Sequence, residues 1–192
     1  MTMGFWGYFL VGRGAAPLAE LPALAAVRAG LTLHQRRAGG WQVWRHPGEP
    51  VVGELGALSR ALSSPVLFGY VMNSECVAVE GAAPESGTWY GCLGREPMAR
   101  HLAASGRSLE ELFLSAEDAA RRAVEWAVEA GATVEPRPLL DVLHARRPES
   151  PQAGGEGLFF RLLDGLGIPA EPDPPEGGGT HGGPPRGPLE DG

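Results

Sequence analysis

Lysine is missing from this chain: all 16 basic residues are arginine. That absence excludes chemistry built on an internal side-chain amine, namely a P-loop ending in GKS or GKT, a pyridoxal Schiff base, a Ser-x-x-Lys nucleophile or a kinase-type strand lysine. Asparagine and isoleucine occur once each, as Asn73 and Ile168, a bias of GC-rich coding that makes the arginine count weak evidence for phosphate binding. Cysteine is scarce too. Cys76 and Cys92 alone make neither a disulfide scaffold nor a four-ligand zinc site, so reduced thiols in a cytoplasmic protein are the expectation. No apolar run approaches the roughly 20 residues that span a bilayer, and no membrane partner is expected. The apolar stretch from Met3 to Val11 has no basic leader before it and is dense in aromatics, which reads as a strand and not a secretory signal.

The 192 residues are 43% hydrophobic, enough for a real core. The last 24, from Pro169 to Gly192, hold 7 Pro and 7 Gly. Residues 1–168 therefore suit one α+β domain, and residues 169–192 a disordered, Pro/Gly-rich acidic tail. Charge is uneven. Residues 1–50 carry five Arg against Glu20 and Glu49, residues 51–168 ten Arg against sixteen acids, and the tail one Arg against five acids. The folded part is too mildly acidic to name a partner by sign. The tail holds two PxxP spacings, Pro169 to Pro172 and Pro185 to Pro188, but no apolar periodicity to dock with.

Met3 to Arg13 places apolar side chains on both faces of a strand, which belongs inside a sheet. Leu18 to Ala29 reads as a helix weakened by Pro22. Leu31–Arg36 and Trp41–His46 form a hairpin, and Val52–Leu62 is a short helix. Val66 to Gly81 reads as one long strand, interrupted by the polar Asn73-Ser74-Glu75, followed by a five-residue loop and a strand from Thr88 to Gly94. With Gly81 opposite Gly87, Cys76 falls opposite Cys92. Helices are expected at Pro97–Ala104, at Leu109–Leu114 capped by Ser108, at Ala116–Ala130 capped by Ser115, at Leu139–Ala145 and at Leu158–Leu166. The third of these presents Ala120, Val124, Ala127 and Val128 to the core and pairs Arg121 with Glu125. The fold class is α+β, with a largely antiparallel N-terminal sheet of four or five strands and a C-terminal group of helices. The segments GFWGYFLVGR, GWQVWR, PVLFGYVMNSECVAVEG, TWYGCLG, AARRAVEWAVEAG and LFFRLLDGLGI together resemble short single-domain proteins of GC-rich bacteria. The resemblance implies one intact domain and brings no activity or site with it.

Two places carry candidate function. Glu75 stands in an otherwise apolar strand, where a carboxylate is costly unless paired or wet; it is the candidate for a cleft base in a small enzyme. From Leu21 to Gly48 there is no acid. Within this stretch Arg36, Arg37, Trp44, Arg45 and His46 are the candidate binding residues, since Arg pairs with carboxylate or phosphate and Trp offers a stacking face. Trp44 is the expected anchor, on the wetter side beside Gln42 and His46. Another protein is the expected partner, ahead of nucleic acid, and the leading reading is a non-catalytic interaction module, immunity-like or regulatory. Gly12-Arg13-Gly14 follows a strand, but Pro17 replaces the third glycine of a dinucleotide loop and no acid stands about 20 residues beyond. The histidines lack metal-site spacing, and no Gly-x-Ser-x-Gly occurs. No cofactor and no metal are expected.

Overall fold

The computed structural model describes residues 4–171. It has an α+β fold with six strands, β1 Gly7–Arg13, β2 Thr32–Arg37, β3 Trp41–His46, β4 Val66–Met72, β5 Cys76–Ala83 and β6 Gly87–Leu93. All neighbours are antiparallel, in the order β2-β3-β1-β4-β5-β6. Six helices accompany them: α1 Leu55–Leu62, α2 Arg95–Ala103, α3 Leu109–Leu112, α4 Ala116–Glu129, α5 Pro136–Leu143 and α6 Gly154–Gly165. Among the described residues no helix is long and apolar enough to cross a membrane.

β1 occupies the middle, as its two apolar faces require, and pairs with β3 on one side and β4 on the other. One sheet face presents Phe9, Val11, Trp41, Val43, Leu67, Val71, Val77 and Leu93 to α4, α5 and α6. Gly69 lies at the centre of that face. A Cβ there would come within 2.5 Å of the Phe159 ring, so the missing side chain is what lets Phe159 lie on the sheet. The opposite face is covered in two parts. Tyr8, Leu10, Val66 and Phe68 pack with Leu18, Leu24, Leu55 and Leu58, while Cys76 and Cys92 pack with Met98 and the partly buried Leu102, Leu109 and Phe113 of the α2–α3 region.

Several expectations are corrected. The sheet has six strands where four or five are expected, because Val66–Gly81 is two strands. Asn73-Ser74-Glu75 is the turn between them: φ is 52° at Asn73 and 53° at Ser74, and the Glu75 amide donates to the Met72 carbonyl at 2.9 Å. Consecutive left-handed residues match the twist of a hairpin, and Asn tolerates that region better than most residues. The β5–β6 loop is three residues long, so Gly81 pairs with Trp89 and Cys92 with Ala78. Cys76 and Cys92 are thereby displaced by two positions, which leaves them on the same face. Both are free and buried.

Leu18 to Ala29 forms no continuous helix. It breaks into 3-10 turns at Leu18–Glu20, Pro22–Leu24 and Arg28–Gly30, because Pro22 has no N–H to continue the ladder begun before it. α4 is capped by Ser115, whose hydroxyl accepts from the Asp118 amide at 3.1 Å. Its core face consists of Ala116, Ala119, Ala120, Ala123, Trp126 and Ala127, whereas Val128 is exposed. Its ion pairs run from Arg121 to Asp118 and from Arg122 to Glu125.

Ile168 is buried, and the chain beyond it turns back onto the sheet. The Ala38 amide donates to the Pro169 carbonyl at 3.1 Å, and Ala170 forms an antiparallel bridge with Arg37. The expectation for the acidic tail falls, from residue 172 onward, outside the described residues.

Candidate functional site

The acid-free stretch forms the β2–β3 edge of the sheet, and alternation divides its candidate residues between the two faces. Arg37 and Arg45 point to the helical face. Arg37 is almost fully buried: its Nη1 donates to Asp164 Oδ1 and to the Ile168 carbonyl, each at 2.6 Å, and its Nε to Gln35 Oε1 at 3.1 Å. It also lies over the Phe160 ring. Arg45 stacks on Phe5, 3.9 Å from the ring centre. Both guanidiniums thus hold the N-terminal strand and α6 against the edge.

Arg36, Trp44 and His46 lie on the other face, where Arg36 is exposed. Trp44 is half-buried, and its Nε1 donates to Gln42 Oε1 at 2.9 Å. The side beside Gln42 is not the wetter one, because Gln42 is itself buried. Gln42 accepts from the Leu18 amide at 3.0 Å and donates to the carbonyls of Gly14 and Ala16 at 3.1 and 3.0 Å. The Gly12–Pro17 loop is therefore closed on a side chain of the sheet. His46 is half-buried and stacks on Tyr8, centroids 4.8 Å apart. The five residues do not share one surface; Arg36 is the one that meets solvent most fully.

His34 is the extra residue of a bulge between Leu33 and Gln35. Its ring stacks on Phe160 and tilts against Phe9, each at 5.4 Å. Burial, followed by the charges of Arg45 and Arg37, pushes its pKa below the usual 6.5.

The backbone of this edge is open. Among the described residues, the outward hydrogen bonding of β2 stops at Ala38, where the chain end is pinned. The opposite edge is treated differently. On β6, the Tyr90 carbonyl accepts from the Leu114 amide at 3.1 Å. The carbonyls of Ser86 and Thr88 accept from Nη2 of Arg122, the latter at 3.3 Å. Glu129 accepts from the amides of Glu85 and Ser86 at 2.7 and 3.0 Å and from the Ser86 hydroxyl at 2.8 Å, which fixes the hairpin tip.

Glu75 lies in the β4–β5 turn and not within a strand. It is 43% exposed, 3.7 Å from Arg100 and 3.5 Å from His101. An open cleft of about 750 Å³ adjoins it, lined also by Phe5, Arg100, Arg147, Glu149 and Gln152. Arg147 is taken by Glu96, and Glu149 pairs with Arg161 at 2.5 Å. Beside the cleft, the Ser74 hydroxyl accepts from the Phe5 amide at 2.8 Å and donates to Glu156 at 2.9 Å, so it ties three segments together. Elsewhere, burial pushes the Glu80 carboxyl upward on balance, against a hydrogen bond from Tyr90 and with the charge of Glu54.

The buried thiols of Cys76 and Cys92 are pushed up to about 12 and about 11, mainly by desolvation, which leaves them protonated and unreactive near neutral pH. Asp141 pairs with Arg137 at 3.4 Å and His144 with Glu117 at 3.0 Å, not with each other. No group of three or more His, Cys, Asp or Glu side chains that could hold a metal occurs among the described residues.

Sequence reasoning misses Asp164, Phe160 and Arg122. Asp164 is 127 positions from Arg37, and no local pattern announces such a pairing. Phe160 stands beside the stripe read as the core face of α6. The signal for Arg122 is its helical spacing with Trp126 and Glu129, which puts all three on the side of α4 that meets the β5–β6 hairpin. These features define an antiparallel α+β protein with one capped sheet edge and one open, arginine-bearing edge. No family model matches the chain, and no curated protein or solved structure matches it either.

Proposed function

We propose that this protein is a non-catalytic protein-interaction module whose docking element is the β2 edge, which takes an extended acidic segment of another protein as an added strand. The observation that carries this reading is the contrast between the edges: on β6 the outward carbonyls of Thr88 and Tyr90 are occupied, whereas among the described residues β2 is unpaired beyond the pin at Arg37 and Ala38. An unpaired edge offers main-chain hydrogen bonds to an incoming strand, and side-chain pairing across the new ladder supplies selectivity. Exposed Thr32, Leu33, His34 and Arg36 decorate this edge, in a stretch without one acid. A carboxylate opposite Arg36 makes a favourable cross-strand pair, and a cation there does not. A protein is favoured over nucleic acid because Arg37 is buried in an ion pair and Arg45 lies on Phe5, which leaves no row of guanidiniums spaced for phosphates.

The test is selection of displayed random heptapeptides on the full-length protein. Enriched peptides should be acidic and strand-forming. Their binding should be lost in Arg36→Glu, and also when alternate peptide N–H groups are methylated. Enriched peptides that tolerate both changes would overturn the strand-addition reading.

A second reading, a small enzyme, has one observation behind it: Glu75, Arg100 and His101 converge beside the cleft. The same peptides separate the two. Binding that Glu75→Gln abolishes and Arg36→Glu leaves intact would place the site in the cleft.

A further inference from the structure

We infer that the sheet carries a second docking place, independent of the β2 edge: an uncovered strip at Tyr70, Ala78, Glu80 and Tyr90 that receives an arginine side chain of another protein.

The strip exists because the sheet face turned away from α4, α5 and α6 is covered in two separate parts. Antiparallel register sets Tyr8, Tyr70, Ala78 and Cys92 side by side in one row across the sheet, and Leu10, Phe68, Glu80 and Tyr90 in the next. The ends of the first row are buried, Tyr8 in the cluster that includes Leu55 and Leu58 of α1, and Cys92 against Met98 of α2. Between those two parts the cover is missing. Tyr70, Ala78 and Glu80 are half-buried, and Tyr90 is 47% exposed. Ala78 has the smallest side chain of its row, so a hollow lies over it, beside Tyr70 in the same row and Glu80 in the next.

The chemistry of the strip is one-sided. Among the described residues, the polar side chain that meets Glu80 is the Tyr90 hydroxyl, at 3.5 Å, and no arginine or histidine lies within ion-pair distance of it. Glu75, Glu96 and Asp164, by contrast, each have a basic partner. Burial raises the pKa of Glu80, Tyr70 and Tyr90, and nearby acids add to it: Glu54 at Glu80 and, behind Glu80 itself, at Tyr90, and Glu49 at Tyr70. The cation beside Glu54, Arg60, is already paired with it at 3.3 Å. A half-buried carboxylate with a second acid nearby and no counterion is costly, and a cation seated beside it removes that cost. A guanidinium fits best. Its planar fork pairs with Glu80, its face lies on a tyrosine ring, and its stem covers Ala78. Because the strip is open, it encloses little of a free small amine, whereas an arginine presented by a protein brings flanking contacts with it. An acidic segment of the kind proposed for β2 is repelled here, so the two places select opposite charges.

The test is an NMR titration of the full-length protein with the blocked tripeptide Gly-Arg-Gly, and with the same peptide carrying citrulline, which keeps the shape and loses the charge. Saturable shifts are expected at the Ala78 methyl and at the Tyr70 and Tyr90 rings with the arginine peptide alone. Glu80→Gln should weaken binding roughly tenfold, as for a lost hydrogen bond to a charged group, and Tyr90→Ala about threefold, as for an exposed cation–π contact. Glu117→Gln, on α4, removes the same charge from the chain and should change nothing. Ala78→Leu fills the hollow, keeps every charge and should abolish the shifts. Shifts that are absent or do not saturate, equal binding of the citrulline peptide, equal weakening by Glu80→Gln and Glu117→Gln, or undiminished binding to Ala78→Leu would each overturn the site. Methylguanidinium should bind more weakly than the peptide, and equal affinity would overturn the assignment to a protein partner. No β2 residue takes part, so failure here leaves the β2 reading standing, and failure there leaves this one.

Discussion

The two edges of one sheet are finished in opposite ways. At β6, α4 and the segment that leads into it cover the edge. Arg122 reaches the carbonyls of Ser86 and Thr88, the Leu114 amide that of Tyr90, and Glu129 the amides at the hairpin tip, while Trp126, further in, donates to the carbonyls of Val66 in β4 and Ala82 in β5 at 3.1 Å each. Among the described residues, no helix does this at β2. Arg37 anchors the side chains of the edge to α6 from beneath, and the backbone is met only at its end, by Pro169 and Ala170. Edge pairing and face packing are thus independent. A strand can be well anchored through one face and still offer its ladder to another chain.

This contrast can be tested from its strongest element downward. Trp126→Ala should cost the most, about 3–5 kcal/mol for a large aromatic removed from a core, with both carbonyl bonds lost as well; chemical denaturation would measure it. Arg37→Met should cost about 1–3 kcal/mol, because the Ile168 carbonyl loses a charged donor while exposed Asp164 returns to water. It should also release Pro169 and Ala170 from the edge, seen as faster exchange of the Ala38 amide. Arg122→Ala should cost about 1 kcal/mol. Its more telling effect is concentration-dependent self-association through a β6 edge no longer capped, read by sedimentation.

The edges should also separate by pH. At β2, the pKa of His34 is held below its ordinary 6.5 by burial and by Arg45 and Arg37. The unfolded chain then takes up the proton more readily, so the contribution is complete above about 6.5 and is lost as pH falls through the lower folded value. At the β6 hairpin tip, burial raises Glu129, but three hydrogen bonds from Ser86 and Glu85 outweigh it, and the net shift is downward from 4.5. That contribution is complete above about 4.5 and is lost only in more acidic solution. In a denaturation series, His34→Gln should flatten the decline just below pH 6.5, and Glu129→Gln the one below pH 4.5. The smallest effect is expected for Arg36→Ala, within about 0.5 kcal/mol for an exposed substitution, although it removes the proposed selectivity of the edge.

Much of the architecture was legible from local pattern. β1 carries apolar residues on both faces and is central; Ser115 announces α4, and the β2–β3 hairpin is marked by Gly39-Gly40. What escaped depended on turn chemistry or on distant partners. Without a glycine, Asn73-Ser74 gives a weak turn signal, so two strands read as one and Glu75 looked interior. The β5–β6 loop length set the cysteine register, and an error of two residues there preserved the face but not the pairing. On α4 the valines drew attention away from the small alanines that let the helix approach the sheet, while Val128 lies outside. In the arginine stretch, residue type gave charge, but only Asp164, Ile168 and Phe5 reveal which arginines are structural.

The most direct measurement is a chemical-shift map of the full-length protein titrated with the blocked peptide Glu-Val-Glu-Val-Glu-Val-Glu. The account predicts saturable shifts concentrated at the amides of Leu33 to Arg36, with Thr88 to Cys92 unmoved. Shifts at β6 or around Glu75, or none at all, would contradict it.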